Sequence, residues 1–170
     1  MLTHENLLNV LHYDEDTGIF TWKEKLSFRI KVGAVAGSIS KITGYVEIRI
    51  NGILYRGHEL AWFYKTGKHV KYIDHRNNIR HDNRWINLRK ASQTQNNRNK
   101  SMSRNNNSGY KGVYYSTRRG KYIASVCFNY RSVYVGQYDC PKEAAAAYDK
   151  KALELFGEFA KTNQSMGLLE

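Results

Sequence analysis

The sequence predicts an α+β protein, and three observations lead to that class. Two runs of alternating apolar and polar residues flank Asn51-Gly52, a pair typical of a two-residue β-hairpin turn. Three further strand-like runs succeed one another between residues 109 and 138. The helical run "PKEAAAAYDKKALELFG" follows them, with Pro141 suited to a first helical position and Gly157 to the position after the last turn. Strands followed by a helix, without a repeating βαβ pattern, are typical of α+β proteins.

The first block, residues 1–70, is expected to be an α+β support region. The leucines of "ENLLNVL" would form the apolar face of a short opening helix that Thr3 caps. The turn "DTG" precedes the strand "IFTW", and "HELAWFYKTG" is expected to form a helix of about two turns that ends at Gly67.

Three further segments follow. Residues 71–100 predict a strand in "KYIDH", a polar loop, a return strand around "INLRKA" and a helix, "QTQNNRNK", that Ser92 would cap. Residues 101–107 are rich in Asn and basic residues, which is typical of a linker. Residues 108–163 predict a three-stranded antiparallel sheet packed on one helix, whose small residues Ala144 to Ala147 would let it lie close to the sheet.

The positive charge is concentrated in one third of the chain. The net charge is +12, and the segment from Asn83 to Tyr138 contains eleven Lys and Arg residues but no Asp or Glu. A polyanion is the natural partner of such a segment, and nucleic acid is the commonest one. A membrane surface would instead favour a basic amphipathic helix, whereas this segment is rich in Asn, Gly and Tyr. We therefore expect double-stranded DNA, and no membrane, as the partner.

Cysteine content and the N-terminus both indicate an intracellular protein. The two cysteines, Cys127 and Cys140, cannot build a four-cysteine zinc site, so no structural zinc is expected. No apolar run approaches the roughly 18 residues of a membrane span. No basic leader followed by a long apolar segment is visible at the start. A cytoplasmic location is expected.

Polar residues with the chemistry of an active site lie inside the 71–100 segment. Asp74 offers a hard carboxylate oxygen suited to Mg²⁺ or Mn²⁺, and His75 can take a proton from water near neutral pH. Asn96, one turn into the predicted helix, could complete a site with two protein ligands, which leaves positions for a phosphate and water. Neighbouring strand residues point to opposite faces, so the strand must end or distort at His75.

The pattern "IDHRNN…HDNRWINLR…QNNRN" resembles the HNH family of nucleases, which have the ββα-metal fold. The resemblance implies a ββα-metal nuclease core over residues 71–100. Asp74 matches a metal ligand and His75 the general base that activates water. Asn87 matches the central Asn that braces the hairpin loop and on which activity depends, and Asn96 the second metal ligand.

The resemblance implies a metal-dependent DNA endonuclease that uses one divalent cation, Mg²⁺ or Mn²⁺. Similar proteins are homing-type enzymes of phages and other mobile elements, which places this one in the host cytoplasm or nucleoid. A monomer on DNA is expected rather than a dimer. A monomer would nick one strand, and a double-strand break would need a dimer or a second event. Glu59 stands where the family usually has Arg, and Asn78 where it usually has Gly.

The C-terminal block, with "GYKGVYY", "GKYIASV" and "EAAAAYD", resembles the AP2 DNA-binding domain from end to end. In that family the sheet lies in the major groove, which implies contacts to bases and phosphates from Lys111, Tyr114, Arg118, Arg119, Lys121, Arg131 and Tyr134. Further contacts to the DNA backbone are expected from five more basic residues of the segment, Arg84, Arg89, Arg98, Lys100 and Arg104.

Two alternatives to a DNA endonuclease stay open. A non-catalytic, sequence-specific DNA-binding regulator would keep the basic region and the AP2-like block, and an RNA-processing nuclease would keep the same active site. The neighbouring polar residues His58, Asp82 and Asn83 are expected to have structural roles, in helix packing or in holding the loop.

Overall fold

The structure, a computed structural model, describes residues 2–103 and 105–169. It contains two compact units, Met1–Ser92 and Gln93–Glu170, here called the N-terminal unit and the C-terminal unit. Helices are combined with antiparallel sheets, so the predicted α+β class is confirmed. The division falls within the 71–100 segment, and the helix after Ser92 therefore belongs to the C-terminal unit.

The N-terminal unit contains two α-helices, a 3-10 helix (Trp85–Asn87) and three small antiparallel sheets. In chain order its elements are α1 (His4–Val10), β1 (Leu11–Tyr13), β2 (Phe20–Trp22), β3 (Ser38–Ile39), β4 (Val46–Ile50), β5 (Ile53–Arg56), α2 (Gly57–Thr66), β6 (Ile73–His75) and β7 (Leu88–Lys90). Strand β1 pairs with β2, β3 to β5 form a three-stranded sheet, and β6 pairs with β7.

The first helix is shorter than the leucine spacing predicts. The Thr3 hydroxyl accepts a hydrogen bond from the Asn6 amide at 3.2 Å, which confirms the predicted cap. The helix ends at Val10, and Leu11 instead begins β1, where it lies opposite Trp22. Leu11 was expected on the helical face, but strand pairing buries the same side chain completely.

The β4–β5 hairpin and the end of α2 follow the local sequence. Asn51 and Gly52 both have positive φ, 48° and 82°, as the favoured two-residue turn requires. Ile50 and Ile53 lie opposite each other in the register. Gly67, at a φ of 64°, ends α2 with its N–H bonded to the Phe63 carbonyl at 2.8 Å. Both predictions are confirmed.

The core of the N-terminal unit lies between its two helices and its sheets. Its most deeply buried side chains are Leu7, Leu11, Phe20, Ile48, Ile50 and Leu60. Leu88 of β7 belongs to this core, and Ile73 of β6 packs against it. The short β6–β7 hairpin, marginal on its own, is therefore anchored on the same core.

The C-terminal unit is a three-stranded antiparallel sheet with a long helix on one face. Its elements are α3 (Gln93–Arg98), β8 (Val113–Ser116), β9 (Lys121–Phe128), β10 (Arg131–Tyr138) and α4 (Pro141–Phe156), and the strand order is β10-β9-β8. The helix packs on the sheet through Ala144, Ala145 and Ala152, which are all fully buried. The predicted sheet-on-helix arrangement is confirmed.

Across the described ranges 2–103 and 105–169, none of the helices combines the length and the apolar character needed to cross a bilayer.

Candidate functional site

The β6–β7 hairpin carries the polar residues that the sequence singled out. Its register places Asp74 opposite Arg89 and His75 opposite Leu88. Strand β6 ends at His75, where the sequence required an end or a distortion. The next residue, Arg76, donates its N–H to the Asn87 carbonyl at 2.9 Å and opens the loop of residues 76–84.

Asp74 forms a buried ion pair with the residue across the hairpin. Arg89 Nε and Nη2 both donate to Asp74 Oδ2, at 2.8 and 2.6 Å. The side chains are only 6% (Arg89) and 8% (Asp74) exposed. The sequence expected a DNA-backbone contact from Arg89, but cross-strand pairing turns its guanidinium inward. The structure thus buries the Arg89 guanidinium against the proposed metal ligand.

His75 is held by an asparagine of the loop. Its Nε2 lies 3.3 Å from Asn83 Oδ1, and both residues are buried. An amide oxygen can only accept, so this contact puts a proton on Nε2. In a neutral imidazole the other nitrogen, Nδ1, is then the one that can take up a proton. If His75 acts as the base that the sequence predicts, Nδ1 is the atom that would accept the proton.

Asn83 is fixed from several sides. The Tyr13 hydroxyl donates to its carbonyl at 2.6 Å. A Cβ on Gly18 would lie 2.4 Å from the Arg84 nitrogen, and one on Gly57 would lie 2.5 Å from Asn83 Nδ2. Only glycine allows these approaches, and Gly18 also has a φ of 73°. The segment that orients His75 is thus closely packed by side chains and backbone of the N-terminal unit.

Two rings pack against the His75 imidazole. The His58 ring centroid lies 5.0 Å away with the planes at 77°, and the Tyr45 centroid lies 5.9 Å away. Burial lowers the pKa of His75, against the opposing effects of Asn83 and Asp74. Burial, and next the neighbouring His75, lower the pKa of His58 to about 3. Both imidazoles are therefore neutral at neutral pH, the form in which His75 can accept a proton.

Asn87 braces the loop between the two strands. Its Oδ1 accepts from the Asn77 N–H at 3.0 Å, and its Nδ2 donates to the Asp82 carbonyl at 2.7 Å. Asn78 follows Asn77 with a φ of 63°, a left-handed conformation that Asn tolerates better than most residues. This conformation explains why a glycine would also suit the position.

Arg84 is half-exposed but already has an acidic partner. Its Nε and Nη2 donate to the two carboxylate oxygens of Asp82 at 2.8 and 2.6 Å. These hydrogen bonds are the main cause that lowers the pKa of Asp82 to about 2. Any phosphate contact by Arg84 would compete with this pair.

The described residues show no cluster of three or more His, Cys, Asp or Glu side chains placed to hold a metal ion. The predicted ligands belong to different units, Asp74 to the N-terminal unit on β6 and Asn96 to the C-terminal unit on α3. Their joint binding of one cation stays a prediction from the sequence.

The sheet of the C-terminal unit presents an outward face opposite α4. Tyr114 lies opposite Ile123 and Tyr134 opposite Ser125, on the face away from the helix. Both tyrosines are more than half exposed. Of the basic residues predicted to contact DNA, Lys100, Arg118, Arg119 and Arg131 are exposed in this unit. Lys121, at the start of β9, pairs with Asp139, and Arg104 lies outside the described residues.

Two predicted DNA contacts in this unit are used inside the protein instead. Lys111 Nζ donates to the carbonyls of Lys100 and Arg98, at 2.7 and 3.2 Å, and burial lowers the pKa of Lys111 to about 8. The Arg98 guanidinium lies over the Phe156 ring, 4.7 Å from its centroid, and near Phe128. Both side chains tie α3 to the rest of the unit, which the basic character of the segment did not reveal.

Comparison with known families identifies part of this unit. Residues 108–158, 51 of the 170 residues, match the AP2 domain. The C-terminal unit carries an AP2-like DNA-binding domain. The match indicates sequence-specific DNA binding and agrees with the outward tyrosines and arginines of the sheet.

Sequence reasoning missed two residues of the N-terminal site. Asn83 was expected only to hold the loop, yet it orients His75. Tyr45 received no role, yet its ring touches both buried histidines. The sequence around Asn83 is a run of polar residues, and nothing in it distinguishes Asn83 as the partner of His75. For Tyr45 the alternation of β4 was a usable signal, because it places residues 45, 47 and 49 on one face.

Proposed function

We propose that the chain is a metal-dependent DNA endonuclease that hydrolyses phosphodiester bonds. The observation that carries this proposal is the neutral, buried His75, oriented through Nε2 by Asn83 beside the carboxylate of Asp74. A nuclease of this type needs a general base held in one orientation next to an oxygen ligand. The AP2 domain supports the choice of DNA as substrate.

The chain's own residues would act on the attacking water. His75 Nδ1 would take a proton from a water molecule as the water oxygen attacks phosphorus, while Asn83 Oδ1 stabilises the imidazolium that forms. Asn87 would act through the loop, because its two hydrogen bonds fix the backbone that presents Asn83. Products would carry 5′ phosphate and 3′ hydroxyl ends.

The donor chemistry suits a hard divalent cation. Asp74 supplies a carboxylate and Asn96 an amide oxygen, which are the donors that Mg²⁺ and Mn²⁺ prefer. In the structure Asp74 Oδ2 already accepts two hydrogen bonds from Arg89, so a cation would share this carboxylate with the guanidinium. When bound, one such cation would neutralise the charge that develops on the phosphate and the leaving oxygen.

The type of nuclease and its mode of cleavage are proposed from the resemblance to HNH nucleases. It favours a site-specific, homing-type enzyme of a phage or another mobile element, with the AP2-like sheet reading the target. A monomer with one active site would nick DNA, and two binding events would give a double-strand break. Loss of affinity with rising salt is expected, because several phosphates would be neutralised.

A second function has an observation in its favour. The AP2 match supports a non-catalytic, sequence-specific DNA-binding regulator directly, whereas it contains no information on catalysis. In such a protein the buried pair of Asp74 and Arg89 would serve only to stabilise the hairpin. On the family match alone, this function is at least as well supported as the nuclease.

Conversion of supercoiled DNA to nicked or linear forms separates the two functions. The plasmid would carry pooled fragments of the source genome, with Mg²⁺ or Mn²⁺ compared against EDTA. Metal-dependent cutting by the wild type should be lost in His75→Ala and kept in His12→Ala, an exposed histidine of the same unit. Tight binding without cutting under every condition would favour the regulator, and equal cutting by His75→Ala would refute the assignment of the base.

A further inference from the structure

Three side chains from separate segments of the N-terminal unit meet beside the buried histidines. Tyr45 precedes β4, Arg56 ends β5 and Arg80 lies in the 76–84 loop. The guanidinium carbons of Arg56 and Arg80 lie 5.1 and 5.3 Å from the centroid of the Tyr45 ring. We call these three residues the Tyr45 cluster.

The Tyr45 ring also touches the proposed active site. Its centroid lies 4.8 Å from that of His58 and 5.9 Å from that of His75. Arg56 and Arg80 therefore stand close to the two imidazoles, and each lowers the pKa of one of them. An anion bound by these guanidiniums would lie next to His75.

The charges of the two arginines are only weakly compensated. Arg80 donates one hydrogen bond, to the Thr43 carbonyl at 2.8 Å, and no carboxylate among the described residues lies within 4 Å of it. Arg56 approaches Glu59 at 3.9 Å, with both side chains about half exposed. Glu47 lies opposite Arg56 in the register but accepts from the Thr43 hydroxyl. Arg84 and Arg89, by contrast, are held by close carboxylates.

A helix end adds to the positive potential. Arg56 is the N-cap residue of α2, a helix of ten residues, and it makes no side-chain cap hydrogen bond. Helix N-termini favour negative charge and disfavour a cation. Two cations that contact one ring repel each other, and an anion bound by both would relieve that repulsion.

We propose that the Tyr45 cluster binds a phosphate of the DNA backbone next to the bond presented to His75. Contact with the Tyr45 ring restricts both guanidiniums, and the planar fork of a guanidinium can bind phosphate oxygens in pairs. The flanking position of this phosphate rests on the proposed nuclease function, but the anion site itself does not. Neither arginine lies in the AP2 domain, so this is a DNA contact of the N-terminal unit.

The dependence of DNA binding on salt tests this site in the full-length protein. Binding of a mixed-sequence duplex is measured in EDTA, so that cutting cannot interfere. Each phosphate contact contributes about 0.9 to the slope of log K against log salt. The Arg56→Gln/Arg80→Gln double variant should reduce the slope by about 0.9, because both arginines neutralise the same phosphate, and each single variant should reduce it by a part of that amount.

Matched variants separate charge from shape. Arg29 also lies over an aromatic ring of the N-terminal unit, with its guanidinium carbon 5.2 Å from the Phe28 centroid, and Arg29→Gln should leave the slope unchanged. Arg80→Lys should keep the slope but weaken binding, because lysine keeps the charge and loses the planar fork. Tyr45→Leu should weaken binding, whereas Tyr45→Phe, which keeps the ring, should not.

The outcomes distinguish this site from the nuclease proposal. A wild-type slope in the Arg56→Gln/Arg80→Gln double variant, with the fold intact by tryptophan fluorescence, would refute the anion site even if the wild type cuts DNA. A reduced slope in a protein that never cuts would support the anion site and refute the nuclease. Inorganic phosphate should displace the duplex from the wild type at a lower concentration than from the double variant. Displacement at equal concentrations would also refute the site.

Discussion

The buried ion pair of Asp74 and Arg89 gives the most direct prediction of stability. Replacement of Arg89 by Met keeps most of the side-chain volume but removes the positive charge. Asp74, with its side chain 8% exposed, would then be a buried carboxylate without the two hydrogen bonds to Oδ2. Breaking one partner of a buried pair typically costs about 3–5 kcal/mol. With a urea m-value of about 1.5 kcal/mol/M, the midpoint should fall by roughly 2–3 M.

Tryptophan fluorescence makes this measurement specific to one unit. The three tryptophans, Trp22, Trp62 and Trp85, all lie in the N-terminal unit, so urea unfolding followed by their emission reports that unit alone. Arg84→Met is the matched control, because Arg84 is also paired with a carboxylate but is half exposed. Exposed pairs contribute little, so the control should hardly move the midpoint.

A double variant tests the cause of the loss. Asp74→Asn combined with Arg89→Met removes both charges, and replacing a buried pair by neutral groups is often close to neutral. The double variant should therefore be more stable than Arg89→Met alone. A shift for Arg89→Met no larger than that for Arg84→Met, or a double variant less stable than both single variants, would refute the reasoning.

Two further predictions concern buried groups. Burial holds the pKa of His58 near 3 in the folded unit, whereas the unfolded chain binds a proton near pH 6.5, so stability falls as the pH drops below about 6.5. His58→Gln should reduce the pH dependence of the free energy of unfolding, measured with urea between pH 6.5 and 4, by up to about 1.4 kcal/mol per pH unit. The same pH dependence in wild type and variant would contradict a neutral, buried His58. Gly112 has a φ of 74°, and a Cβ there would lie 2.0 Å from the Tyr148 ring. Gly112→Ala should destabilise the C-terminal unit by about 3 kcal/mol or more and weaken the DNA binding of that unit while tryptophan emission stays native. Gly120 also has a positive φ but open space around it, so Gly120→Ala should lower the stability of the C-terminal unit much less. Equal losses of stability in the two variants would show that the contact with the Tyr148 ring is unimportant.

Local chemistry made several elements predictable from the sequence. Asn51-Gly52 specifies its turn because both residues tolerate positive φ. Gly67 ends α2 and Pro141 begins α4 because the backbone conformation of each residue suits that end of a helix, independently of tertiary contacts. The end of α1 was misplaced because Leu11 has the right spacing for a helix, but pairing with β2 is a tertiary effect that overrides it.

Side-chain partners were harder to predict than elements. Arg84 and Arg89 belong to the same basic motif, yet one is half exposed and the other is buried against Asp74. The difference depends on the register of β6 and β7, which sets Asp74 opposite Arg89. In a hairpin whose strands are separated by the twelve residues 76–87, turn chemistry does not fix that register. A count of basic residues therefore indicates a polyanionic partner but not which residues meet it.

The Tyr45 cluster shows where such reasoning could have gone further. The Asn51-Gly52 turn fixes Ile50 opposite Ile53, so Glu47 must lie opposite Arg56. Residues two apart share a face, which puts Tyr45 on the same face as Arg56. The sequence alone thus contained this half of the cluster. The approach of Arg80 could not be foreseen, because it depends on how the loop braced by Asn87 brings Arg80 to Thr43 and Tyr45. If the salt dependence of DNA binding assigns a phosphate to this cluster, the N-terminal unit is itself a DNA-binding element and not only a support.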